Sequence, residues 1–258
     1  MFLRAQIAGT RRKALCALAR RDVSLPCDRP LISFSFDDFP RTALTVGGAI
    51  LQDSGVRGTY YAAPGLISTQ NHLGEHFCTD DLLNLLATGH ELGTHTYSHV
   101  SARALGLASY VDEVEKGYQA LAEMPGLRVT RHFSYPFGEI TLRVKRAIGP
   151  RMQSCRGIYP GLNGPRVDLN LLRANRLYGD VAGSLAAEAL INENSRAQSW
   201  LIFYTHDVRT NPSPYGCTPA LLTNVVRAAV KSGARIATVA EVLALAQANQ
   251  TASELIPT

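Results

Sequence analysis

The sequence predicts an α/β fold, and three observations favour a barrel or barrel-like arrangement of parallel strands over an open sheet. Short apolar runs alternate with longer segments of helical pattern, which is typical of repeated βα units. Two loops rich in Pro, Gly and Asn, 157–170 and 211–219, follow predicted strands, where a βα barrel places its active-site rim. No Gly-rich phosphate loop follows the first strand, as a dinucleotide-binding open sheet would require.

Short apolar runs predict eight strands, near 31–36, 58–62, 90–94, 132–135, 154–158, 171–177, 199–205 and 234–237. Helical patterns lie between most of them, near 42–54, 79–88, 109–123, 140–148, 184–193, 218–232 and 238–247. Capping residues support several of these ends. Thr238 with Glu241 fits a capping box, and Thr79 offers a hydroxyl cap, while Gly89 and Gly233 follow predicted helices as C-terminal stops.

Length and charge indicate one catalytic-sized domain with a basic arm. The chain has 258 residues, 46% hydrophobic, enough for one sizeable core. Its net charge of +5 comes from residues 1–29, so we predict a short N-terminal extension at 1–29 and a domain at 30–258. The neutral remainder argues against a nucleic-acid partner, and a surface helix is favoured over a weak anionic-surface contact for the arm.

The apolar segment 14–19 is too short, and too charged at its edges, for a secretory signal, and no long apolar run predicts a transmembrane segment. The five cysteines are odd in number and scattered, without a C-x-x-C pair, so neither a disulfide framework nor a thiolate metal site is indicated. Reduced thiols and a cytoplasmic location are the prediction.

Two histidines and two carboxylates predict an open metal site. His95 and His99 lie four residues apart, one helical turn, so they can share a face and bind one ion. The apolar run 31–36 leads into Asp37 and Asp38, one of which can complete a three-ligand set that leaves room for water and substrate. Because side chains alternate along a strand, one of these carboxylates can ligate while the other faces substrate. Either could instead cap the next helix.

Four separated segments resemble the motifs of the polysaccharide deacetylase family, the NodB-homology carbohydrate esterases. Ser35-Phe36-Asp37-Asp38 resembles the T/S-F-D-D motif, and His95-Thr96-Tyr97-Ser98-His99 resembles H-S/T-x-x-H. Tyr135-Pro136-Phe137-Gly138 resembles the P-Y/F-G motif, and Phe203-Tyr204-Thr205-His206 resembles the final strand that ends in a functional histidine. The resemblance spans residues 31–207 in the family's order.

The resemblance implies a distorted (β/α) barrel, which we expect to have seven strands, and hydrolysis of an acetyl group on a sugar with a divalent metal. It implies Asp37 as general base, His206 as general acid, and Asp38, His95 and His99 as metal ligands. It also implies that the turn of Tyr135, Pro136, Phe137 and Gly138 contacts the oxyanion and substrate, with the Phe137 N–H holding the oxyanion. The expected metal is Zn²⁺, and the ligand types also admit Co²⁺, Fe²⁺ or Mn²⁺.

The chain departs from the family pattern at two places. Many relatives have an arginine just before the Pro-aromatic-Gly turn, but this chain has Ser134 there. We therefore expect Arg173 to approach from a neighbouring strand and hold Asp37, with Arg176 as the alternative. The family's fourth motif, an Asp with a nearby Trp, is not identified in this sequence, whose one Trp is Trp200 in the final motif strand. The partner of His206 is therefore open, and Asp207 is one candidate.

The remaining aromatic and imidazole side chains are given weaker roles. Tyr159 and Tyr215, in the two rim loops, are candidates for substrate contact. His90 is predicted to be structural, and no role is assigned to three other histidines, which are His72, His76 and His132.

The predicted function is a metal-dependent deacetylase with a carbohydrate substrate, acting on an N-acetylated sugar in a polysaccharide or glycan precursor. Two alternatives remain open. One is a related amidohydrolase that acts on a small nitrogenous metabolite. The other is a carbohydrate-binding protein of the same fold that has lost catalysis.

Overall fold

Seven parallel strands form the central sheet of the chain, whose computed structural model describes residues 13–25 and 28–254. The strands of the described residues are β1 Asp22–Ser24, β2 Leu31–Asp37, β3 Gly58–Ala62, β4 Gln70–Asn71, β5 Gly74–Glu75, β6 Glu91–Thr94, β7 Val129–Ser134, β8 Ser154–Arg156, β9 Arg166–Asp168, β10 Asn175–Arg176, β11 Trp200–Thr205 and β12 Arg235–Ile236. The seven strands of the central sheet lie in the spatial order β10, β11, β2, β3, β6, β7 and β8, and the short β12 pairs with β2. The predicted α/β barrel with seven strands is confirmed.

Helices surround this sheet at nearly the positions that the sequence predicts. A π-helical turn, Ala43–Gly48, runs directly into an α-helix at Ala49–Asp53. The α-helices are α1 Ala49–Asp53, α2 Thr79–Ala87, α3 Leu107–Ala122, α4 Leu142–Ile148, α5 Ser184–Ala197, α6 Pro219–Lys231 and α7 Val239–Glu254.

Strand β2 shows how its sequence divides the two faces of the sheet. Every residue from Leu31 to Asp37 is buried. Ile32, Phe34 and Phe36 join the apolar cluster that packs the sheet against the helices. Because side chains alternate, Ser33, Ser35 and Asp37 point to the opposite face, inside the barrel. The strand therefore sends its one terminal carboxylate into the interior.

The sheet is distorted at two positions. β3 pairs with β2 only from Phe34 onward, and β12 fills the remaining edge beside Leu31 and Ile32. Between β8 and β10 the sequence predicts a strand at 171–177, but only Asn175–Arg176 is a strand. Leu172 nevertheless bridges to Arg156 in parallel orientation, so residues 172–176 connect β8 to β11 and bring the sheet edges together.

A buried carboxylate at the start of β6 anchors the last helix. Glu91 accepts hydrogen bonds from the hydroxyls of Thr59 and Thr130, and from the backbone N–H of Ala240 in the first turn of α7. A carboxylate at a helix N-terminus satisfies an unpaired N–H and interacts favourably with the helix dipole. Three strands, β3, β6 and β7, and helix α7 are thus joined at one polar point in the core.

The described part of the N-terminal segment packs onto the barrel, and the predicted boundary at residue 29 stays a prediction. β1 pairs antiparallel with β9, and Leu15 is buried. The fully buried Lys145 amine donates to the carbonyls of Leu15 and Leu18 and to the Asp168 carboxylate, at 2.6, 2.8 and 2.6 Å. The prediction of an anionic-surface contact for residues 1–29 falls partly on residues 1–12, 26 and 27, outside the described residues.

His90 is a buried structural histidine, as the sequence predicts. Its Nδ1 accepts the backbone N–H of Gly58 at 3.0 Å, and its Nε2 lies 3.3 Å from the Gln52 amide. Burial lowers the pKa of His90 to about 4, with a further contribution from the charge of Arg57. The folded state therefore holds this imidazole neutral.

The stability of the chain is expected to fall as the pH drops from about 6.5 to about 4. The unfolded state binds a proton at His90 in this window and the folded state does not, because its pKa of about 4 lies below the ordinary value. The loss at the lower end is on the order of a few kcal/mol. Urea unfolding at pH 7, 5.5 and 4.5 measures it.

The matched control is His90→Asn, which keeps an acceptor near Nδ1 but does not titrate. All other histidines are common to both proteins, so the difference in pH dependence isolates His90. Parallel curves for the two proteins would contradict the prediction.

Candidate active site

The two carboxylates stand where β2 turns sharply. Asp38 and Phe39 have φ of 60° and 54°, and the Phe39 N–H donates to the Asp37 carbonyl at 2.6 Å. The Nδ1–H of buried His76 donates to the Asp38 carbonyl at 3.1 Å and supports the turn. The immediate turn lets both carboxylates line one cavity although they are neighbours on the chain.

His95 and His99 come together in a loop, so the prediction that they share a helical face is wrong. Residues 95–100 are not helical, and Thr96 and His99 have φ of 62° and 53°. These two left-handed residues fold the chain back so that the imidazole centroids lie 5.1 Å apart. The pairing depends on backbone conformation, which the four-residue spacing does not specify.

The orientation of His95 is set by a backbone carbonyl. Its Nδ1 lies 2.7 Å from the Ser134 oxygen. A carbonyl only accepts, so Nδ1 carries the proton and Nε2 is free to bind a metal. The two hydroxyl residues between the histidines bond within the loop and to α3: Thr96 Oγ1 accepts the Val100 N–H, and Ser98 bonds to Glu113.

Helix α3 holds the histidine loop from outside the barrel. Glu113 accepts the Ser98 N–H at 2.8 Å through its side chain and the Tyr97 N–H at 2.9 Å through its carbonyl. At Gly117 the helix backbone lies so close to the loop that an added Cβ would meet the Thr96 carbonyl carbon at 2.5 Å. The absence of a side chain at this position allows the approach.

Three side chains converge as a metal-ligand set. Nε2 of His95 and of His99 lie 3.2 and 2.9 Å from Asp38 Oδ1, and all three ligand atoms lie within 4.8 Å of one another. Ligands about 2.1 Å from one tetrahedral ion are separated by roughly 3.4 Å, close to these distances. Asp38 Oδ1 is buried without a hydrogen-bond partner. This orphaned oxygen between two imidazole nitrogens fits a divalent ion.

The charge state of Asp38 suits that role. Burial alone would raise its pKa, but the adjacent imidazoles of His95 and His99 outweigh burial and hold the pKa of Asp38 well below its ordinary value. The ligand is therefore an ionised carboxylate, which is the form that binds a metal.

Asp37 is held by Arg156, and the prediction that Arg173 holds it is wrong. The fully buried Arg156, at the end of β8, donates from Nη2 to Asp37 and to the Ser134 hydroxyl. Arg173 instead donates to the Pro160 carbonyl at 3.1 Å and lines a separate cavity beside Arg20 and Arg166. Arg156 is the last residue of β8, whereas Arg173 lies between Leu172, which bridges to Arg156, and the start of β10 at Asn175.

Aromatic rings enclose the Arg156 guanidinium. It lies 5.1 Å from the Tyr61 ring centroid and 5.0 Å from that of Tyr204. Burial alone would raise the pKa of Asp37, but the charge of Arg156 outweighs it and the pKa is lowered. The sequence does contain a signal for Arg156, which lies between small residues in the predicted buried strand 154–158. A buried arginine requires an acidic or polar partner, so its position in a strand points to a buried ion pair.

His206 reaches the site at the end of β11. Its Nδ1 lies 3.0 Å from the Tyr215 carbonyl, and its Nε2 lies 3.9 Å from Asp38 Oδ2. The carbonyl fixes Nδ1 as the protonated nitrogen and directs Nε2 into the cavity. Asp207, expected as the partner of His206, instead binds the N–H and hydroxyl of Ser213 at 2.8 and 2.5 Å. It shapes the loop that carries Tyr215.

The Pro-aromatic-Gly turn meets the cavity at two of its four residues. Phe137 and Gly138 line the cavity, and Phe137 has φ of 57° with its ring centroid 4.5 Å from that of His99. Tyr135 and Pro136 are buried, and the Tyr135 hydroxyl donates to the Asn170 carbonyl. The side chains of Tyr135 and Pro136 therefore do not line the cavity, contrary to the expectation that they contact substrate.

The assembled cavity has a volume of about 350 Å³, within the usual range for small-molecule sites. Its lining contains the metal-ligand set and Asp37, His206, Phe137 and Gly138, together with Tyr204, His72, Leu73, Ile158, Tyr178 and Tyr215. Tyr215 lies there as expected for a substrate contact, while Tyr159 packs against an apolar cluster. His72 was assigned no role from sequence, and the hairpin of β4 and β5 brings it to the cavity.

The family comparison agrees with this geometry. The family model described as Polysaccharide deacetylase matches residues 25–149, which include the Asp37-Asp38 pair, His95 and His99. Over residues 25–149 the chain belongs to the polysaccharide deacetylase family. It is a hydrolase of the polysaccharide deacetylase type, acting on carbon–nitrogen bonds of the amide kind. Arg156 and His206 lie beyond the matched residues. No curated protein matches the sequence.

Solved structures share the fold at low identity. A chitin deacetylase from Colletotrichum lindemuthianum has a TM-score of 0.58 at 20% identity, covering 84% of this chain and 89% of that one. The Xyl-CE4 domain of a multidomain xylanase from the hindgut metagenome of Trinervitermes trinervoides has a TM-score of 0.57 at 18% identity, covering 83% and 90%. A peptidoglycan deacetylase from Bacillus subtilis has a TM-score of 0.52 at 15% identity, covering 90% and 98%.

Within the described ranges, every helix is too short or too polar to span a bilayer. Cys16, Cys78, Cys155 and Cys217 are free thiols, while Cys27 falls outside the described residues. The cytoplasmic location stays a prediction.

Gly117→Ala is expected to disrupt metal binding. The added methyl group would lie 2.5 to 2.8 Å from backbone atoms of Thr96 and Tyr97, so the loop that pairs His95 with His99 must move. We expect at least a tenfold loss of divalent-metal affinity, because ligand misplacement of a few tenths of an ångström weakens coordination. Calorimetric titration with Zn²⁺ measures it, and circular dichroism reports the fold.

The matched control is Gly106→Ala, at the residue before the same helix. Gly106 has a negative φ of −63°, and an added Cβ there meets nothing within 4 Å. Equal metal affinity in the Gly117 and Gly106 variants would show that the close approach of α3 does not position the ligands.

Proposed function

We propose that the chain is a metal-dependent deacetylase that removes the acetyl group from an N-acetylated sugar in a polysaccharide or a glycan precursor. The observation that carries this proposal is the convergence of Asp38, His95 and His99 in one cavity with Asp37 and His206. Amide hydrolysis requires an electrophile, a base and an acid within reach of one carbonyl, and these residue types supply the base, the acid and the ligands for the electrophile.

The metal would be held by Asp38, His95 and His99. A divalent ion there, Zn²⁺ in our proposal, would act as a Lewis acid that polarises the acetyl carbonyl and promotes ionisation of water. Three protein ligands are the usual number for a catalytic zinc site, which leaves a position open for water and substrate. Imidazole and carboxylate ligands also admit Co²⁺, Fe²⁺ or Mn²⁺.

Asp37 would act as the general base. It lines the cavity next to the ligand Asp38, and Arg156 holds its carboxylate from the interior side. Arg156 is a positioning residue in this scheme, because it touches Asp37 and has no place in the cavity lining. The carboxylate can accept a proton from the attacking water, while the bond to Arg156 keeps its orientation fixed.

His206 would act as the general acid. Its Nδ1–H is engaged by the Tyr215 carbonyl, so a proton carried at Nε2 points into the cavity, toward the amine that leaves. The backbone N–H of Phe137 would donate to the oxyanion that forms when water adds to the carbonyl. The left-handed backbone at Phe137 and the buried Tyr135 and Pro136 beneath it keep this turn in place.

Metal content distinguishes this function from the alternatives. We expect about one divalent ion per purified chain, because three protein ligands hold it tightly. The His99→Ala variant is expected to lose both the ion and the acetate-releasing activity. Elemental analysis and an acetate assay on N-acetylated saccharides measure the two. His72→Ala, which removes an imidazole of the same cavity outside the ligand set, is the control that retains the ion.

Acetate release confined to small nitrogenous amides would instead favour the amidohydrolase alternative. Saccharide binding with no metal after Zn²⁺ loading would favour a carbohydrate-binding protein without catalysis.

Arg156→Met is expected to lower kcat by at least a hundredfold, because the buried Asp37 loses its partner and its orientation. Arg173→Met, which removes an arginine bound to the Pro160 carbonyl, is the matched control and should keep the wild-type rate. Steady-state acetate assays on both variants test this, with metal content and melting temperature measured alongside. A full rate in the Arg156 variant, or an equal loss in both, would refute the assignment.

A further inference from the structure

A second cavity of the chain is lined by three arginines. Its volume is about 210 Å³, and its lining includes Arg20, Arg166 and Arg173. None of its lining residues belongs to the cavity that holds Asp37 and Asp38. The reaction proposed above therefore does not account for this group of cations.

Strand pairing and a buried asparagine hold the three arginines around the cavity. Arg20 lies just before β1 and Arg166 begins β9, and these two strands pair antiparallel. The buried Asn163 holds Arg173: its Oδ1 accepts the Arg173 N–H at 2.8 Å, and its Nδ2 donates to the Arg173 carbonyl at 2.9 Å. The backbones that carry the three guanidinium groups are therefore fixed by the fold.

The arginines outnumber the carboxylates that can neutralise them. The lining contains the Asp168 carboxylate, but the buried Lys145 amine already donates to it at 2.6 Å. Asp22 is shared by two of the arginines. Its Oδ1 lies 2.6 Å from Arg20 Nη2, and its Oδ2 lies 3.3 Å from Arg166 Nη2.

Arg173 has no carboxylate within ion-pair distance among the described residues. Its Nη1 donates to the Pro160 carbonyl at 3.1 Å, which is a neutral acceptor. Three guanidinium groups are therefore balanced by one carboxylate, that of Asp22, and the cavity keeps an excess of two positive charges. Like charges gathered in one concave site repel one another, and an anion bound between them removes that repulsion.

The chemistry of the lining favours a phosphoryl group as that anion. Guanidinium groups donate parallel pairs of N–H groups to phosphate oxygens, which makes Arg well suited to phosphate recognition. A phosphoryl group carries a charge of about −1.5 to −2 at pH 7, which matches the excess in the cavity. No aromatic ring belongs to the lining, so a nucleobase would find no stacking partner there. A phosphoryl group is therefore favoured over a whole nucleotide.

Arg20 also belongs to the segment that carries the net charge of the chain. Residues 1–29 contain seven Arg and Lys side chains and two Asp side chains, which gives the net charge of +5. An excess of one sign of charge raises the local concentration of ligands of the opposite sign. The segment whose charge attracts anions thus forms part of the cavity wall.

We propose that Arg20, Arg166 and Arg173 form a binding site for a phosphoryl group, separate from the candidate active site. The ligand is a phosphate dianion, either free in solution or exposed on a lipid headgroup. The inference goes beyond the proposed function and does not rest on it, because the two cavities have no lining residue in common.

The test is isothermal titration calorimetry with inorganic phosphate at an ionic strength of about 0.15 M, where weak surface interactions are largely screened. We expect wild type to bind about one phosphate per chain with a Kd on the order of 1 mM or lower. Arg166→Met and Arg173→Met should each raise that Kd about tenfold, because each removes charge-assisted hydrogen-bond donors. Arg173→Lys keeps the charge but loses the paired N–H groups, so its Kd should be intermediate.

Two further variants are the controls, and both should retain the wild-type Kd. Arg57→Met removes another exposed arginine with one ion pair, at 3.4 Å to Glu241, and Arg57 lies outside the cavity lining. His99→Ala removes a candidate metal ligand, so it tests whether phosphate binds at the metal-ligand set instead. Melting temperatures, measured for every variant, report the fold.

Sedimentation with lipid vesicles identifies the source of the phosphoryl group. The vesicles contain phosphatidylcholine alone or phosphatidylcholine with phosphatidic acid. Sedimentation that requires phosphatidic acid and is reduced in Arg173→Met would support the site and assign it to a lipid phosphate. Phosphate binding without sedimentation would support the site and assign it to a soluble phosphate.

Three results would overturn the inference. Wild type could bind no phosphate, or its Kd could be unchanged in both Arg166→Met and Arg173→Met. An equal loss of phosphate binding in Arg57→Met or in His99→Ala would likewise place the anion outside the arginine-lined cavity.

Discussion

The ion pair between Asp37 and Arg156 is the interaction on which the rest of the site depends. It joins the end of β2 to the end of β8 across the barrel interior, with Arg156 wholly buried. An isolated charge of either sign in this position would be strongly destabilising, so each residue requires the other. The aromatic rings of Tyr61 and Tyr204 enclose the same guanidinium. Four strands therefore converge on one cation, directly beneath the carboxylate that faces the cavity.

Backbone strain is concentrated around this centre and is balanced by contacts from outside it. Non-glycine residues with positive φ occur at five positions in or next to the site: Asp38, Phe39, Thr96, His99 and Phe137. Left-handed conformations are unfavourable for such residues and persist only where the surroundings fix them. Here α3 fixes the histidine loop and His76 fixes the Asp38 turn. The positions of the candidate metal ligands therefore depend on α3 and His76 as much as on Asp38, His95 and His99 themselves.

The sequence predicted most elements and the chemistry-bearing residues, because both depend on local patterns. Alternation along β2 and helical periodicity elsewhere reflect burial, which the fold confirms. The prediction that Arg173 holds Asp37 is wrong because only Asn175–Arg176 of the predicted strand 171–177 is a strand. The partner of Asp37 depends on which strand ends meet inside the barrel, and Arg156 at the end of β8 is the one that does. The prediction that His95 and His99 pair on a helix is wrong for a similar reason. Two left-handed residues bring them together, and that conformation depends on contacts with α3 at Glu113 and Gly117.

The attachment of His206 to a main-chain carbonyl has a consequence for how this enzyme can change over generations. A side-chain acceptor can be exchanged by one substitution, but the Tyr215 carbonyl persists whatever residue occupies the position. It moves only when the loop itself changes length or path. An insertion that admitted a bulkier substrate would shift His206, the proposed proton donor, at the same time. Under that proposal, substrate range and proton delivery are inherited together in this loop, and a change in one requires compensation in the other.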